Sequence, residues 1–303
     1  MKRALALLLL TCGIGLTGLA QEGSELSGAL GVELTFTPVS PASLNVDTAI
    51  TSSLSFAGAS VESRTVISLD GLESEHMRCS VKLDDVTLAT GMRFDPCFSR
   101  YWFEVRGGCC PFDLGALVLV ENLAETCQTP NFTVGIVADL GLNFGSGFFV
   151  RSITGFGVKD LYNLIDEYPQ TDITAVSGWW FSEELMNVGF ASECLRTESL
   201  FSFDELGFAW AQLHASYTWA EPAVQLGARL WIDSAFAFNR ADLILQVTID
   251  PVGLRSVTSF DSLGFLSQEI DISATLSGVK LYSRTSFDFT GLQSEVIGFV
   301  LSF

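Results

Sequence analysis

Histidines and carboxylates are the residues of this chain that could carry acid–base chemistry. The two histidines, His76 and His214, are far apart in the sequence, and no serine or cysteine stands in a nucleophile motif such as GxSxG. Acidic pairs such as Asp84–Asp85 lack the spacing of a calcium-binding loop. We therefore expect no catalytic residue, no metal site and no cofactor, and we predict that the protein is not an enzyme.

Cysteines are the other reactive side chains, and six of them follow the first twenty residues: Cys79, Cys97, Cys109, Cys110, Cys127 and Cys194. They form no CxxC motif, and neither histidine lies near the cluster from Cys97 to Cys127, which argues against a metal site. An even number of cysteines in an exported chain favours disulfides, although the sequence leaves the pairing open.

The first twenty residues predict that the chain is exported. Lys2 and Arg3 form a positive start, residues 4–10 are apolar, and small residues end at Ala20, which is the pattern of a secretory signal peptide. We expect residues 1–20 to be removed and residues 21–303 to form a single antiparallel β domain. The protein would then lie in the outer membrane or, failing that, at the cell surface or outside the cell.

Charge and hydrophobicity narrow the class of partner. The formal net charge is −19, and removal of the two positive residues of the signal would make it −21. Such a charge repels nucleic acid, which binds proteins chiefly through Lys and Arg. The chain is nevertheless 48% hydrophobic with 24 Phe, which excludes disorder. Its apolar surface must therefore fill a core or face lipid on strands.

A hairpin near the C-terminus shows how the chain is built. Apolar and polar residues alternate over residues 270–276 and again over 279–287, and Ser277-Gly278 between them suits a two-residue turn. The unit recurs: residues 78–95 align with 271–288 without gaps, and SFDSLGF at 259–265 repeats as SFDELGF at 202–208. The pattern predicts an all-β chain of antiparallel hairpin repeats, which we expect to form a closed up-and-down barrel of roughly 14 strands. A two-sheet β-sandwich is the alternative.

One region lacks the alternation. Residues 158–198 predict a long irregular loop, in which Ser182 could cap a short helical turn. Within it, Trp179 and Trp180 could form a ligand platform, an anchor at a membrane interface, or a cluster packed against its own domain.

The length of the strands and the last residues of the chain resemble those of a known class of protein. The arms of the hairpin are eleven residues long, which suits a tilted strand that crosses a bilayer, and Ile297, Phe299, Leu301 and Phe303 alternate to the end of the chain. The chain thus resembles bacterial outer-membrane β-barrel proteins, whose last strand typically ends in an aromatic residue that the barrel-assembly machinery reads. The resemblance implies outer-membrane lipid and that machinery as partners. It also implies a set of lumen-lining residues, for which our candidates are Lys82, Arg93, Arg229, Asp271, Lys280 and Arg284.

Two functions follow from the two folds. A barrel would be a porin-like or structural component of the cell envelope, with small solutes as possible passengers. A sandwich or layered repeat would be a secreted or surface-attached protein for adhesion or carbohydrate binding. Closure of the first strand onto the last would distinguish the barrel from two facing sheets.

Overall fold

The computed structural model of the chain describes residues 25–38, 42–56, 58–95, 97–124, 131–166, 173–176, 178, 180–219 and 223–302. The predicted signal peptide, Cys127, Trp179 and Phe303 lie outside these residues. No helix in the described ranges is long and apolar enough to cross a membrane.

Long strands connected by short turns make up nearly all of the described chain. The first nine are β1 Glu25–Thr37, β2 Ser43–Phe56, β3 Ala59–Ser68, β4 Gly71–Leu83, β5 Val86–Asp95, β6 Cys97–Cys109, β7 Phe112–Asn122, β8 Phe132–Phe144 and β9 Phe148–Phe156. A short excursion follows, with β10 Val158–Lys159, a one-turn helix α1 Asn163–Asp166 and β11 Thr174–Ala175. The remaining strands are β12 Phe181–Ala191, β13 Leu195–Asp204, β14 Gly207–Trp219, β15 Ala223–Ile232, β16 Phe238–Ile249, β17 Val252–Asp261, β18 Gly264–Leu276, β19 Val279–Asp288 and β20 Gly291–Ser302.

The eighteen long strands close into one barrel. Each pairs antiparallel with its neighbours along the chain, β9 pairs with β12 across the excursion, and β1 pairs with both β2 and β20. Leu34 lies opposite Ile297 where the first and last strands meet. The predicted all-β up-and-down barrel is confirmed, and the β-sandwich is excluded because one sheet closes on itself.

Two details of the prediction are wrong. The barrel has 18 strands rather than about 14, partly because many turns have only two residues, such as 205–206 and 262–263. The irregular region is also shorter than 158–198, since 181–191 and 195–204 are barrel strands, and Ser182 lies on β12 rather than at a helix cap. On β12 the apolar Leu185 lies on the inner face, where it joins the buried cluster, and Glu184 lies on the outer face, so the strand lacks a regular alternation of apolar and polar residues.

The hairpin that dominated the sequence folds as predicted. Ser277 and Gly278 have φ values of 49° and 83°, as a two-residue turn between β18 and β19 requires. In the aligned segment, Asp84 takes the same position between β4 and β5 with a φ of 51°. Both turns lie at the barrel end that also holds the start of β1 and the end of β20, here called the terminal end. The turns at 205–206 and 262–263 lie at the opposite end.

The two faces of the sheet differ sharply in chemistry. Apolar side chains on one face stay largely exposed, for example Leu243 at 54% and Leu281 at 51%. The other face is crowded even for polar groups, since Asp242 is 4% and Ser259 is 2% exposed, as expected on the concave side of a barrel. In the pairing register, every arginine of the described strands falls on this inner face: Arg64, Arg78, Arg93, Arg100, Arg106, Arg151, Arg196, Arg229, Arg240, Arg255 and Arg284.

Candidate functional site

The excursion between β9 and β12 packs inside the barrel. Its described residues, 157–166 and 173–176, are called the inserted segment. Val158, Leu161 and Ile173 are fully buried, and they join one apolar cluster with inner-face residues such as Leu119 and Ile153. A chain segment with this many buried apolar residues is fixed to the wall by the hydrophobic effect.

Glycines on the inner wall make room for the inserted segment. A Cβ at Gly155 would lie 2.7 Å from the carbonyl oxygen of Val158, and one at Gly135 would lie 2.7 Å from the carbonyl oxygen of Gly157. Any larger residue at these two positions would collide with the backbone of the segment. The docking site thus depends on two glycines, which have no side chain. The alternation of apolar and polar residues along the strands does not reveal such a site.

Two residues of β12 hold the beginning of the inserted segment. The backbone N–H of Val158 donates to Ser182 Oγ at 2.9 Å, and the N–H of Leu161 donates to Glu183 Oε2 at 3.1 Å. Glu183 Oε1 also accepts a hydrogen bond from Ser202 Oγ at 3.0 Å. Both side chains are buried, so these bonds satisfy backbone groups that water does not reach.

A buried ion pair holds the end of the inserted segment. Glu121 Oε2 accepts a hydrogen bond from the N–H of Ala175 at 2.6 Å, and Glu121 Oε1 lies 2.6 Å from Arg100 Nη2. The two charged side chains are only 14% and 8% exposed. In the middle, Gln212 Nε2 donates to the hydroxyl of Tyr162 at 3.1 Å. The inserted segment is thus bonded to strands on both sides of it.

The buried contacts of the inserted segment all involve one side of the wall. The apolar cluster draws its wall residues from β6 to β9 and β12 to β14. Strands β15 to β20 and β1 to β5 contribute no residue to that cluster among the described residues. The inserted segment therefore narrows the lumen from one side. Cavities of about 400 Å³ and about 520 Å³ lie towards the terminal end and the opposite end.

Ion pairs cross the inner wall between neighbouring strands. Asp271 on β18 lies between two arginines, at 3.2 Å from Arg255 and 2.7 Å from Arg284. Near the terminal-end cavity, Arg151 Nη2 pairs with Asp139 at 2.6 Å. These pairs join adjacent strands, directly opposite in register around Asp271 and diagonally between Arg151 and Asp139, so that the charged groups stay on the inner face.

A row of basic side chains crosses four neighbouring strands of the inner face. Arg64, His76, Arg93 and Arg100 lie opposite one another in register on β3 to β6, and the row ends at Glu121 on β7. Two of the arginines in the row are paired with carboxylates, Arg93 with Asp95 at 2.7 Å and Arg100 with Glu121 at 2.6 Å.

The lumen-lining candidates share the inner face. Register places all of them there: Lys82, Arg93, Arg229, Asp271, Lys280 and Arg284. Trp180 is 69% exposed beside the inserted segment. The sequence analysis missed Arg100, Glu121 and Glu183, which hold the inserted segment. No local signal marks them, because the same strands carry other charged or polar inner-face residues, such as Glu104 on β6 and Asn187 on β12.

The cysteines form fewer disulfides than the sequence predicted. Cys79, Cys109, Cys110 and Cys194 are not disulfide-bonded, whereas Cys97 is. Cys109 and Cys110 are exposed at a turn of the terminal end. The barrel therefore owes its closure to backbone pairing rather than to a network of six cysteines.

A tyrosine braces the junction where the barrel closes. Tyr282 on β19 lies over Gly298 on β20, where a Cβ would overlap its ring, and its hydroxyl donates to Glu33 on β1 at 2.8 Å. The side chain thus spans three strands across the junction of the first and last strands.

A few carboxylates lie on the otherwise apolar outer face. Glu184 accepts a hydrogen bond from Ser152 at 3.1 Å, and Glu295 accepts bonds from Ser283 at 3.0 Å and Thr285 at 2.9 Å. Hydroxyls on the neighbouring strands therefore satisfy these outward oxygens.

Closure, an apolar outside and a charged inside together define the architecture of membrane β-barrels. No protein-family model and no curated protein matches the chain. Solved structures share its fold: a triple mutant of Rh. blastica porin is similar with a TM-score of 0.51 at 11% identity, over 93% of this chain and 100% of the porin. A mutant of the same porin with five substitutions has the same TM-score, identity and coverage. At this identity the likeness concerns the fold, and it confirms the resemblance to outer-membrane barrels at that level.

Proposed function

We propose that the protein is an outer-membrane barrel that works as a passive, porin-like channel for small solutes. One observation carries the proposal: the apolar side chains cover the convex face of a closed barrel, while the arginines line its concave face. A water-soluble protein would place these faces the other way round, because exposed apolar surface is unfavourable in water.

Aromatic residues at both barrel ends support a lipid environment. Exposed Phe112, Phe144 and Phe148 lie at the terminal end, and Phe36 and Phe132 lie at the opposite end. Membrane barrels carry such girdles at the two interfaces, with short turns on the periplasmic side and longer connections outside. The terminal end would face the periplasm, and the inserted segment would enter from the external side. The predicted signal peptide and Phe303 suit export and assembly in this orientation.

The inserted segment would set the size limit of the channel, and the charged wall beside it would set the ion preference. No catalytic role is part of this proposal.

Conductance across a planar lipid bilayer tests the proposal. The full chain should insert and give discrete current steps, and replacement of residues 159–175 by a short Gly-Ser linker should enlarge each step. A matched variant with Asn-Gly in place of the rim turn Phe289-Thr290 should leave the step unchanged. Folded protein that inserts but never conducts would contradict the proposal.

A further inference from the structure

The cavity at the opposite end has an unusual lining for a channel wall. It is an open pocket of about 520 Å³ between the inserted segment and the wall, and it brings Tyr162, Trp210 and Trp231 together with the carboxylates Asp160 and Asp233. Glu183 lines it as well, and none of the lining residues within the described part of the chain is an arginine or a lysine. The pocket therefore combines aromatic surface with an excess of negative charge.

The aromatic groups are held in place by the same contacts that fix the inserted segment. The ring of Tyr162 meets Trp210 edge-on, with centroids 5.7 Å apart, and its hydroxyl is bonded to Gln212. Trp231 lies opposite Gln212 in the pairing of β14 with β15. The pocket is consequently formed before any solute arrives, which lowers the entropic cost of binding.

One of these aromatic rings already contacts a cationic side chain. The guanidinium carbon of Arg240 lies 5.3 Å from the centre of Trp231, and this arginine is neutralised by Asp242 at 2.7 Å. Aromatic faces combined with carboxylates attract organic cations, above all ammonium groups that carry little hydration. A neutral sugar would gain from the rings but not from the carboxylates.

We propose that this pocket binds small organic cations, of the quaternary ammonium class, on their way through the barrel. The inference rests on the proposed channel function and names the class of solute for it. Tyr162, Trp210 and Trp231 would supply the aromatic faces, and Asp160 would supply a negative charge beside them.

Calorimetric titration of the purified full chain in detergent with choline tests the inference without requiring conductance. Choline should bind, and Trp210→Leu and Trp231→Leu should each weaken binding about tenfold, as expected for the loss of one partly desolvated cation–π contact. Asp160→Asn should weaken it as well. Trp219→Leu, which alters an outward tryptophan at the terminal end, should bind like the unaltered protein.

The outcomes separate the two proposals. Choline binding without bilayer current would retain the site and reject the channel. Current without choline binding, or tighter binding of sucrose than of choline, would overturn the cation site. Unchanged choline affinity in both tryptophan variants, shown to be folded by circular dichroism, would overturn it too.

Discussion

Replacement of Glu121 by alanine should destabilise the barrel far more than the loss of an ordinary surface ion pair. The substitution removes the acceptor for the N–H of Ala175 and breaks the ion pair with Arg100, whose side chain is 8% exposed. Breaking a buried pair by removing one partner costs about 3–5 kcal/mol, because the remaining charge stays buried. We add no separate free-energy cost for the lost hydrogen bond to Ala175, because one side chain makes both contacts and the two losses are not additive.

A second pair in the same barrel provides the control. Arg93 and Asp95 lie 2.7 Å apart near the opposite end, with side chains 32% and 33% exposed. An exposed pair of this kind contributes about 0–1 kcal/mol, so Asp95→Ala should change stability little. Glu121→Gln should fall between the two alanine variants, because its amide oxygen can still accept from Ala175 while the ion pair is lost.

Urea unfolding in lipid–detergent micelles, followed by tryptophan fluorescence, measures these free energies of unfolding. Limited proteolysis should in addition cut the inserted segment faster in Glu121→Ala than in Asp95→Ala. If the two alanine variants lose equal stability, the ion pair does not anchor the inserted segment and the reasoning fails.

Three further predictions concern the closing junction, the two faces of the wall and the ion selectivity. Gly298→Ala should destabilise the barrel by about 1–3 kcal/mol, because the new Cβ overlaps the ring of Tyr282 where the barrel closes; the loss should appear as a lower temperature of heat-induced unfolding on gels. Leu243→Arg should cost about 2–4 kcal/mol as a charge on a lipid-facing surface, whereas Ile244→Arg should be tolerated because it points into the lumen. Asp271→Asn should shift ion selectivity towards anions, as measured by the reversal potential in a salt gradient.

Each of these predictions has an outcome that contradicts it. Gly227→Ala is the control for Gly298→Ala, since a Cβ at Gly227 meets only ordinary contacts of 3.5 Å and more. Equal losses of stability in the two variants would contradict the role of Tyr282 at the junction. Equal costs at Leu243 and Ile244 would contradict the assigned faces. An unchanged reversal potential in the Asp271→Asn variant would show that Asp271 does not influence the ions that pass through the barrel.

The strands and their faces were predictable because alternation is a local property. The hairpin around Ser277 and Gly278 can be interpreted from its own residues, and register then carries the inner and outer assignment to the neighbouring strands. This is why Asp271 and Arg284 could be proposed as lumen residues from the sequence.

The inserted segment was not predictable because its evidence is distributed over distant strands. Glu121, Gly135 and Glu183 receive it, and no spacing in the sequence relates them to Ala175. The alternation on β12 is also broken, because Leu185 faces the buried cluster on the inner side and Glu184 lies on the outer side. The strand count was too low for another reason, because many turns have only two residues and each strand with its turn uses less chain than we expected.

The central claim is that the apolar face meets lipid and the charged face meets water. Nitroxide labels placed singly at residues 243 to 246 of β16, in a chain whose cysteines outside the disulfide are replaced by serine, test it in liposomes. The account predicts that labels at 243 and 245 are accessible to oxygen dissolved in the bilayer, and that labels at 244 and 246 are accessible to a water-soluble nickel complex. Access of the nickel complex to 243 and 245 would show that this face is in water and would contradict the account.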